Sequence, residues 1–315
     1  IEDNKVFPNS FQASSVLDIL RYEIENLGIE LFTDAYVVEI KKYKNFILKL
    51  KDKRKFESDS VILATGGMAM PASGSDGNGY GLAKYFGHKL IDTFPGLVQL
   101  NLEGNIFKQL KGIKFPGVAK LYLNNKCIME DRGDILFTDY GISGPPILQI
   151  SRTALDYLRK NEDVRLRVST ITNRNKNELI QYLTNRFEIM PNKTIQEGLI
   201  GLIHKRMIIP ILKDINVDKD RNVLKLSTED LEKLANILTS WEFKIIGSQG
   251  WGQAQVTAGG IDTKDIDDKT MESKLVKGLF IVGELLDVDG DCGGFNLQWA
   301  WSSGYVAGLH AAMTK

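Results

Sequence analysis

The stretch 278–308, GLFIVGELLDVDGDCGGFNLQWAWSSGYVAG, decides the fold. Its apolar run Leu279 to Val282 suits a buried strand. The run stops at Gly283-Glu284, and a loop of Asp and Gly follows from Asp287 to Gly294. Asn296 to Leu309 then has helical spacing, with Ala300, Ser302, Ser303, Gly304, Ala307 and Gly308 giving part of its surface a close-packing character. Strand, glycine-rich loop and helix together set free N–H groups and the positive end of a helix dipole beside a turn. Such a turn can hold an anionic or electron-rich ligand. From pattern alone two readings stand, a ligand cradle and a plain strand-to-helix turn.

Around this stretch the chain has 315 residues and 43% hydrophobic content, enough for two or three domains with a sizeable core. Formal net charge is zero, so no global field draws in nucleic acid or an anionic membrane. The two cysteines, Cys127 and Cys292, form neither a disulfide framework nor a metal-ligand spacing, and the three histidines, His88, His204 and His310, form no metal-binding pair. No metal site is expected, and the cysteine usage fits a reducing, cytoplasmic setting. No apolar run approaches the roughly 18 residues of a membrane span, and no signal peptide is expected.

Taken in order, Ser10 is read as the cap of a first helix that ends at Gly28. Short strands are predicted at 29–33, 36–40 and 45–50, with 56–60 pairing to them. Ser60 to Gly67, SVILATGG, is a buried strand running into two glycines. The glycine-rich loop 71–81 matches neither G-x-G-x-x-G nor the P-loop spacing. Tyr80 to Phe86 is helical, and Phe94-Pro95-Gly96 marks a boundary. Strands are predicted at 97–102, 118–123, 126–130, 133–137 and 164–170, interrupted by a helix that starts after Gly144-Pro145-Pro146. Helical periodicity fills 178–187, 194–202, 204–212 and 228–238, the last with Thr228 at its start. Strands resume at 241–246 and 252–257.

Several segments together resemble one family. They are Val6-Phe7-Pro8 with Ala13-Ser14-Ser15, Ala64-Thr65-Gly66-Gly67, Thr138-Asp139-Tyr140-Gly141-Ile142-Ser143-Gly144-Pro145, Thr257-Ala258-Gly259-Gly260-Ile261, Thr270 to Lys274, and Gly283-Glu284-Leu285-Leu286-Asp287 leading to Gly293-Gly294-Phe295-Asn296-Leu297-Gln298. The ordered set is similar to the bacterial HI0933-like flavoproteins, NAD(P)/FAD-dependent oxidoreductases with BaiN-type and aminoacetone-oxidase-type relatives. The resemblance covers nearly the whole chain. It implies a multidomain α/β and α+β fold: an FAD domain of the two-dinucleotide-binding kind, an inserted β-rich, barrel-like domain, and a helical subdomain within that. The expected ranges are 1–95 with 262–315, 96–172 with 240–261, and 173–239. The family's opening strand and G-x-G-x-x-G turn have no match here, so the FAD domain is expected to be incomplete in this chain.

By the same resemblance, Gly293, Gly294 and the N–H groups of Phe295, Asn296, Leu297 and Gln298 face the flavin. Asp287, after Gly283-Glu284, meets the ribityl chain, Ala64, Thr65, Gly66 and Gly67 pass close to FAD at a strand end, and the backbone of Val37 contacts adenine. Plain loop, cap or strand roles remain open for Asp287 and Val37. Catalytic residues are unknown. His88 and Cys292 read better as packing residues, Trp299 and Trp301 as packing for the last helix, and Tyr140 with the 141–144 loop as a substrate side. The implied function is a flavoprotein oxidoreductase moving a hydride between a small substrate, or NAD(P)H, and FAD. The alternative is a non-catalytic module unable to hold FAD alone. Nucleic acid is disfavoured by the neutral charge, a membrane partner is not expected, and the basic clusters 41–44 and 51–55 read as solvated hairpin surface. The oligomeric state is left open.

Overall fold

The computed structural model describes residues 5–313, so the outermost residues of the expected FAD-binding range, 1–4 and 314–315, lie outside the described part. The first helix, α1 (Ala13–Asn26), starts after Gln12, which makes no side-chain cap bond. Ser10 is displaced from the expected capping role: its hydroxyl instead meets that of Ser15 at 2.8 Å. No strand forms over 29–33, because an apolar run without a pairing partner leaves its backbone groups to water.

Alternation with period two builds the next three strands, β1 (Val37–Lys42), β2 (Phe46–Leu50) and β3 (Lys55–Ser58), an antiparallel meander in the order β1-β2-β3. Ile40, Phe46 and Leu50 are buried on one face, while Glu39 and Lys49, paired across the strands, share the other. Strand β4 (Val61–Leu63) follows, then α2 (Asn78–Tyr85). The chain next forms β5 (Leu90–Gly96), a strand through Phe94-Pro95-Gly96 where the sequence reads as a boundary. Proline is tolerated there because β5 belongs to a sheet of only two strands, with β12 (Val256–Ile261).

Two compact units divide the chain. One holds the residues up to Gly67, Asp76–Asp92 and Gly259 onward; the other holds Met68–Ser75 and Thr93–Ala258. The second unit contains β6 (Leu100–Leu102), α3 (Phe107–Leu110), β7 (Lys114–Leu123), β8 (Lys126–Phe137), β9 (Gly141–Ser143), α4 (Pro145–Arg159), β10 (Val164–Ser169), α5 (Lys176–Glu188), α6 (Ile195–Gly198), α7 (Lys205–Asp214), α8 (Thr228–Thr239) and β11 (Trp241–Ser248). The two strands expected at 126–130 and 133–137 are one continuous β8. Six strands close into a barrel in the order β10-β11-β6-β9-β8-β7. Phe107, Phe115, Phe137, Trp241 and Phe243 stack inside this unit, with Phe137 and Trp241 edge-on at 5.9 Å. Each such aromatic buries 150–250 Å² and pairs best off a face-to-face sandwich. Reciprocal capping boxes at Asn175/Glu178, Thr194/Glu197 and Ser227/Asp230 start α5, α6 and α8. The cap of α8 is thus Ser227, one residue before the expected Thr228. His204 caps α7, its ring accepting from the Arg206 N–H at 3.2 Å.

The first unit is completed by β13 (Leu279–Ile281) and α9 (Phe295–Met313). Strand β13 pairs in parallel with β4, Leu279 to Val61, Phe280 to Ile62 and Ile281 to Leu63. No helix among the described residues is long and apolar enough to cross a membrane.

Candidate functional site

Parallel pairing of β4 and β13 fixes where the glycine-rich segments go. Both strands end on the same edge, so Ala64-Thr65-Gly66-Gly67 and Val282-Gly283-Glu284 emerge side by side. The Val282 N–H donates to the Leu63 carbonyl at 3.1 Å. A third segment joins them: Ile261 and Leu286 form a parallel bridge, and the Asp287 N–H donates to the Ile261 carbonyl at 2.9 Å. Gly260 (φ 148°) is required for that approach, since a Cβ there would stand 2.6 Å from the Leu286 carbonyl carbon. Ligands of open α/β sheets bind at this carboxyl edge.

Helix α9 is tied to the edge by two side chains one turn apart. Ser303 Oγ accepts from the Gly283 N–H at 3.0 Å, and Trp299 Nε1 donates to the Gly283 carbonyl at 3.0 Å. Asn296 holds the preceding loop with both ends of its amide, accepting from the Gly290 N–H at 2.8 Å and donating to the Gly290 carbonyl at 3.0 Å. The first helical bond of α9 runs from the Gln298 N–H to the Gly294 carbonyl at 3.0 Å. The N–H groups before it have no partner within the helix, and Gly294, Phe295, Leu297 and Gln298 are exposed. The turn is open at Gly294 (φ 95°), which has nothing within 4 Å of where a Cβ would stand, while at Gly293 (φ 128°) the Lys5 side chain lies against the backbone. A backbone surface of this kind fits a flat, electron-rich ring that takes up negative charge.

Of the residues singled out in the sequence, the strand-end set 64–67, Gly283, Glu284 and Asp287 comes together, with Gly293 to Gln298 at the start of the helix that packs over Gly283. Gly67 is also tied to α2, its carbonyl accepting from the Gly77 N–H at 3.0 Å. Gly79 in α2 lies so close to Thr65 that a Cβ would collide with the Thr65 hydroxyl. The Val37 carbonyl accepts from Asn78 Nδ2 at 2.9 Å, so it is engaged by protein on that side. Trp299 packs against Met271, Phe280, Val282 and Ala307, whereas Trp301 is 51% exposed on the opposite face, against the packing role expected for it. Cys292 is half-buried, and among the described residues no cluster of His, Cys, Asp or Glu could hold a metal.

The sequence reading missed Ser303 and Trp299 as tethers of Gly283. Their i, i+4 spacing on α9 was a usable signal. It also missed Tyr36 and Asp76. The Tyr36 hydroxyl donates to Asp76 Oδ2 at 2.8 Å, and Asp76 accepts from the Asn78 N–H at 3.0 Å. The Asn78 N–H and the Tyr36 hydroxyl hold the Asp76 carboxyl below its usual range, and the bond to Asp76 raises the Tyr36 phenol.

A parallel strand pair, a glycine turn and a helix start at one edge are the features of a Rossmann-like domain. Comparison of the whole chain makes this particular. It matches the HI0933-like protein Rossmann domain over residues 1–310, and the chain belongs to that family. At family level this is a flavoprotein-type oxidoreductase. The chain is 35% identical over 308 residues to the 3-dehydro-bile acid delta(4,6)-reductase of Clostridium scindens, covering 98% of this chain and 75% of that protein. It is 31% identical over 304 residues to the ribosomal RNA dihydrouridine synthase of Haemophilus influenzae, covering 94% of this chain and 72% of that protein. The protein of the same name from Escherichia coli is 31% identical over 298 residues, covering 93% and 71%.

Proposed function

We propose that this protein serves an FAD-dependent reduction of a carbon–carbon double bond conjugated to a carbonyl. The names of its relatives support the reading. A 3-dehydro-delta(4,6) bile acid has double bonds running out from a ketone. Dihydrouridine is uridine with the ring double bond beside a carbonyl saturated. Steroid and pyrimidine have little else in common, so the shared chemistry is hydride addition to the far carbon of a conjugated carbonyl. Bound at the turn, a flavin would supply that hydride, with NAD(P)H as the source of electrons.

The carrying observation is the turn open at Gly294, with the exposed first turn of α9 behind it. Gly293 and Gly294 allow a ring to lie against backbone, and the N–H groups of Phe295 to Leu297 favour negative charge on its near edge. Asn296 keeps the loop in place through Gly290. Trp299 and Ser303 fix the distance from α9 to the strand edge. Asp287, whose N–H donates to the Ile261 carbonyl, would meet the cofactor's polyhydroxyl chain, and Ala64 to Gly67 flank the same edge.

The test has two parts. Equilibrium dialysis against FAD is expected to show binding that Gly294→Val weakens; no binding, as for a module unable to hold FAD alone, would overturn the reading for this chain. Anaerobic incubation with FAD, NADPH and either a 3-oxo-4-ene steroid or a uridine oligonucleotide is expected to add two hydrogens to one of them by mass. Reduction of neither, with flavin bound, would overturn the proposed reaction.

A further inference from the structure

The start of α9 has a lysine where helix electrostatics disfavours one. Free N–H groups give a helix N-terminus partial positive charge, so anions stabilise it and cations do not. Yet Lys5, from the opposite end of the chain, reaches this turn. Measured from where a Cβ of Gly293 would stand, Lys5 Cε lies at 2.8 Å and Nζ at 3.0 Å. Both atoms belong to the tip of the side chain, so the stem runs toward the turn and the ammonium rests on the glycine backbone. Helix α9 begins two residues later, at Phe295. Lys5 is exposed, and an exposed lysine ordinarily keeps its head in bulk water.

The approach depends on Gly293. Any side chain there would displace the Lys5 tip, and the φ of 128° is one that glycine adopts without strain. Gly294 beside it stays open. One turn therefore offers two adjoining features, a backbone platform at Gly294 and a positive charge at Gly293. The segment that brings Lys5 in is itself turned. The Phe11 N–H donates to the Pro8 carbonyl at 2.9 Å, and the Phe7 and Phe11 rings lie 6.0 Å apart.

We propose that Lys5 is the cation that favours the reduced state of the flavin at this turn. The inference rests on the FAD reading and adds to it a residue that controls the cofactor's redox balance. A ring that accepts a hydride from NAD(P)H gains two electrons and one proton, hence one negative charge, and NAD(P)+ is the other product. An ammonium and helix-start N–H groups on one turn favour that anion over the neutral oxidised ring. The competing role for Lys5 is to neutralise the acidic loop before Gly293, which holds Asp287, Asp289 and Asp291. The two roles differ in what they act on. Neutralising the loop stabilises the protein with or without flavin and in either oxidation state, whereas the proposed role discriminates between the oxidation states.

Lys5→Met removes the charge and keeps an unbranched apolar stem. FAD affinity is measured for the oxidised and the reduced cofactor, and the midpoint potential by anaerobic equilibration with a reference dye. Lys5→Met is expected to leave the affinity for oxidised FAD nearly unchanged. Its affinity for reduced FAD is expected to fall about tenfold, which lowers the potential by about 30 mV. Lys5→Arg is expected to keep the native potential and Lys5→Glu to lower it further. Melting without FAD is expected to be the same in Lys5→Met as in the native protein. Equal loss of affinity for both oxidation states, hence an unchanged potential, would overturn the inference and assign Lys5 to the loop. A fall of the same size in Lys5→Arg would trace the effect to packing and overturn it as well. If the native protein binds FAD and its potential ignores Lys5, this inference alone fails; if the native protein binds no FAD, the FAD reading fails and takes this one with it.

Discussion

His88 is 3% exposed, with Nε2 at 2.8 Å from the Ser273 hydroxyl. Ser273 Oγ also accepts the N–H groups of Leu275 at 3.1 Å and Val276 at 3.0 Å. With both lone pairs so engaged, its proton points to Nε2, which places the imidazole proton on Nδ1, an atom without a hydrogen-bond partner among the described residues. Burial lowers the His88 pKa, and the nearby charge of Asp265 only partly offsets this. The unfolded chain therefore binds a proton at His88 more readily than the native one. Stability should be level above the ordinary histidine range and fall as pH drops below about 6.5. The lowered Asp76 and Asp267 carboxyls act in a separate, more acidic window, where stability is lost as they protonate. Denaturant titrations at stepped pH are expected to show the first fall in the native protein and a flatter profile in His88→Gln. An unchanged profile would remove His88 as the cause.

Among elements, α1 and α4 make the clearest contrast. Helix α1 buries none of its residues and lacks a side-chain cap, and an isolated helix of its length is marginal in water. Helix α4 buries Pro146, Ile147, Ile150, Ser151, Ala154 and Leu155. Amide exchange is expected to be fast throughout α1 and slow in the buried face of α4; comparable protection would show that α1 is stabilised by something other than burial. The helices of the second unit were the most legible elements, because helical periodicity is a local signal, although the cap of α8 is Ser227 and not the expected Thr228. Strand β5 escaped because Pro95 reads as a break unless the two-stranded pairing is known. The stretch 29–33 failed in the opposite sense, since apolar content alone cannot supply a neighbouring strand.

At the scale of the molecule, each unit has buried side chains of its own. The barrel unit is built on Phe107, Phe137, Trp241 and many aliphatic neighbours, whereas the buried side chains of the other include a cluster of Met271, Phe280, Val282 and Ala307 and, elsewhere, Ile40, Phe46, Leu50, Leu279 and Leu285. Unfolding is not expected to be a single two-state step. With Trp241→Phe and Trp251→Phe in place, fluorescence from Trp299 and Trp301 should change at a lower temperature than the barrel's circular dichroism. Coincident curves would show that the units melt as one.

The sequence by itself determined the mixed α/β character, the family, the helical segments and the glycine turn at 293–294, because these depend on periodicity and ordered short motifs. Only the tertiary structure decided which distant segments share an edge. Strand β11 pairs with β6 in the barrel wall, Ile245 opposite Leu102, and Ala64 to Gly67 meet Gly283 because β4 and β13 pair in parallel. It also decided that Tyr36 is held to Asp76, 40 residues away in sequence. Backbone pairing between residues far apart in sequence is set by which faces can be buried together, and no local pattern encodes that choice.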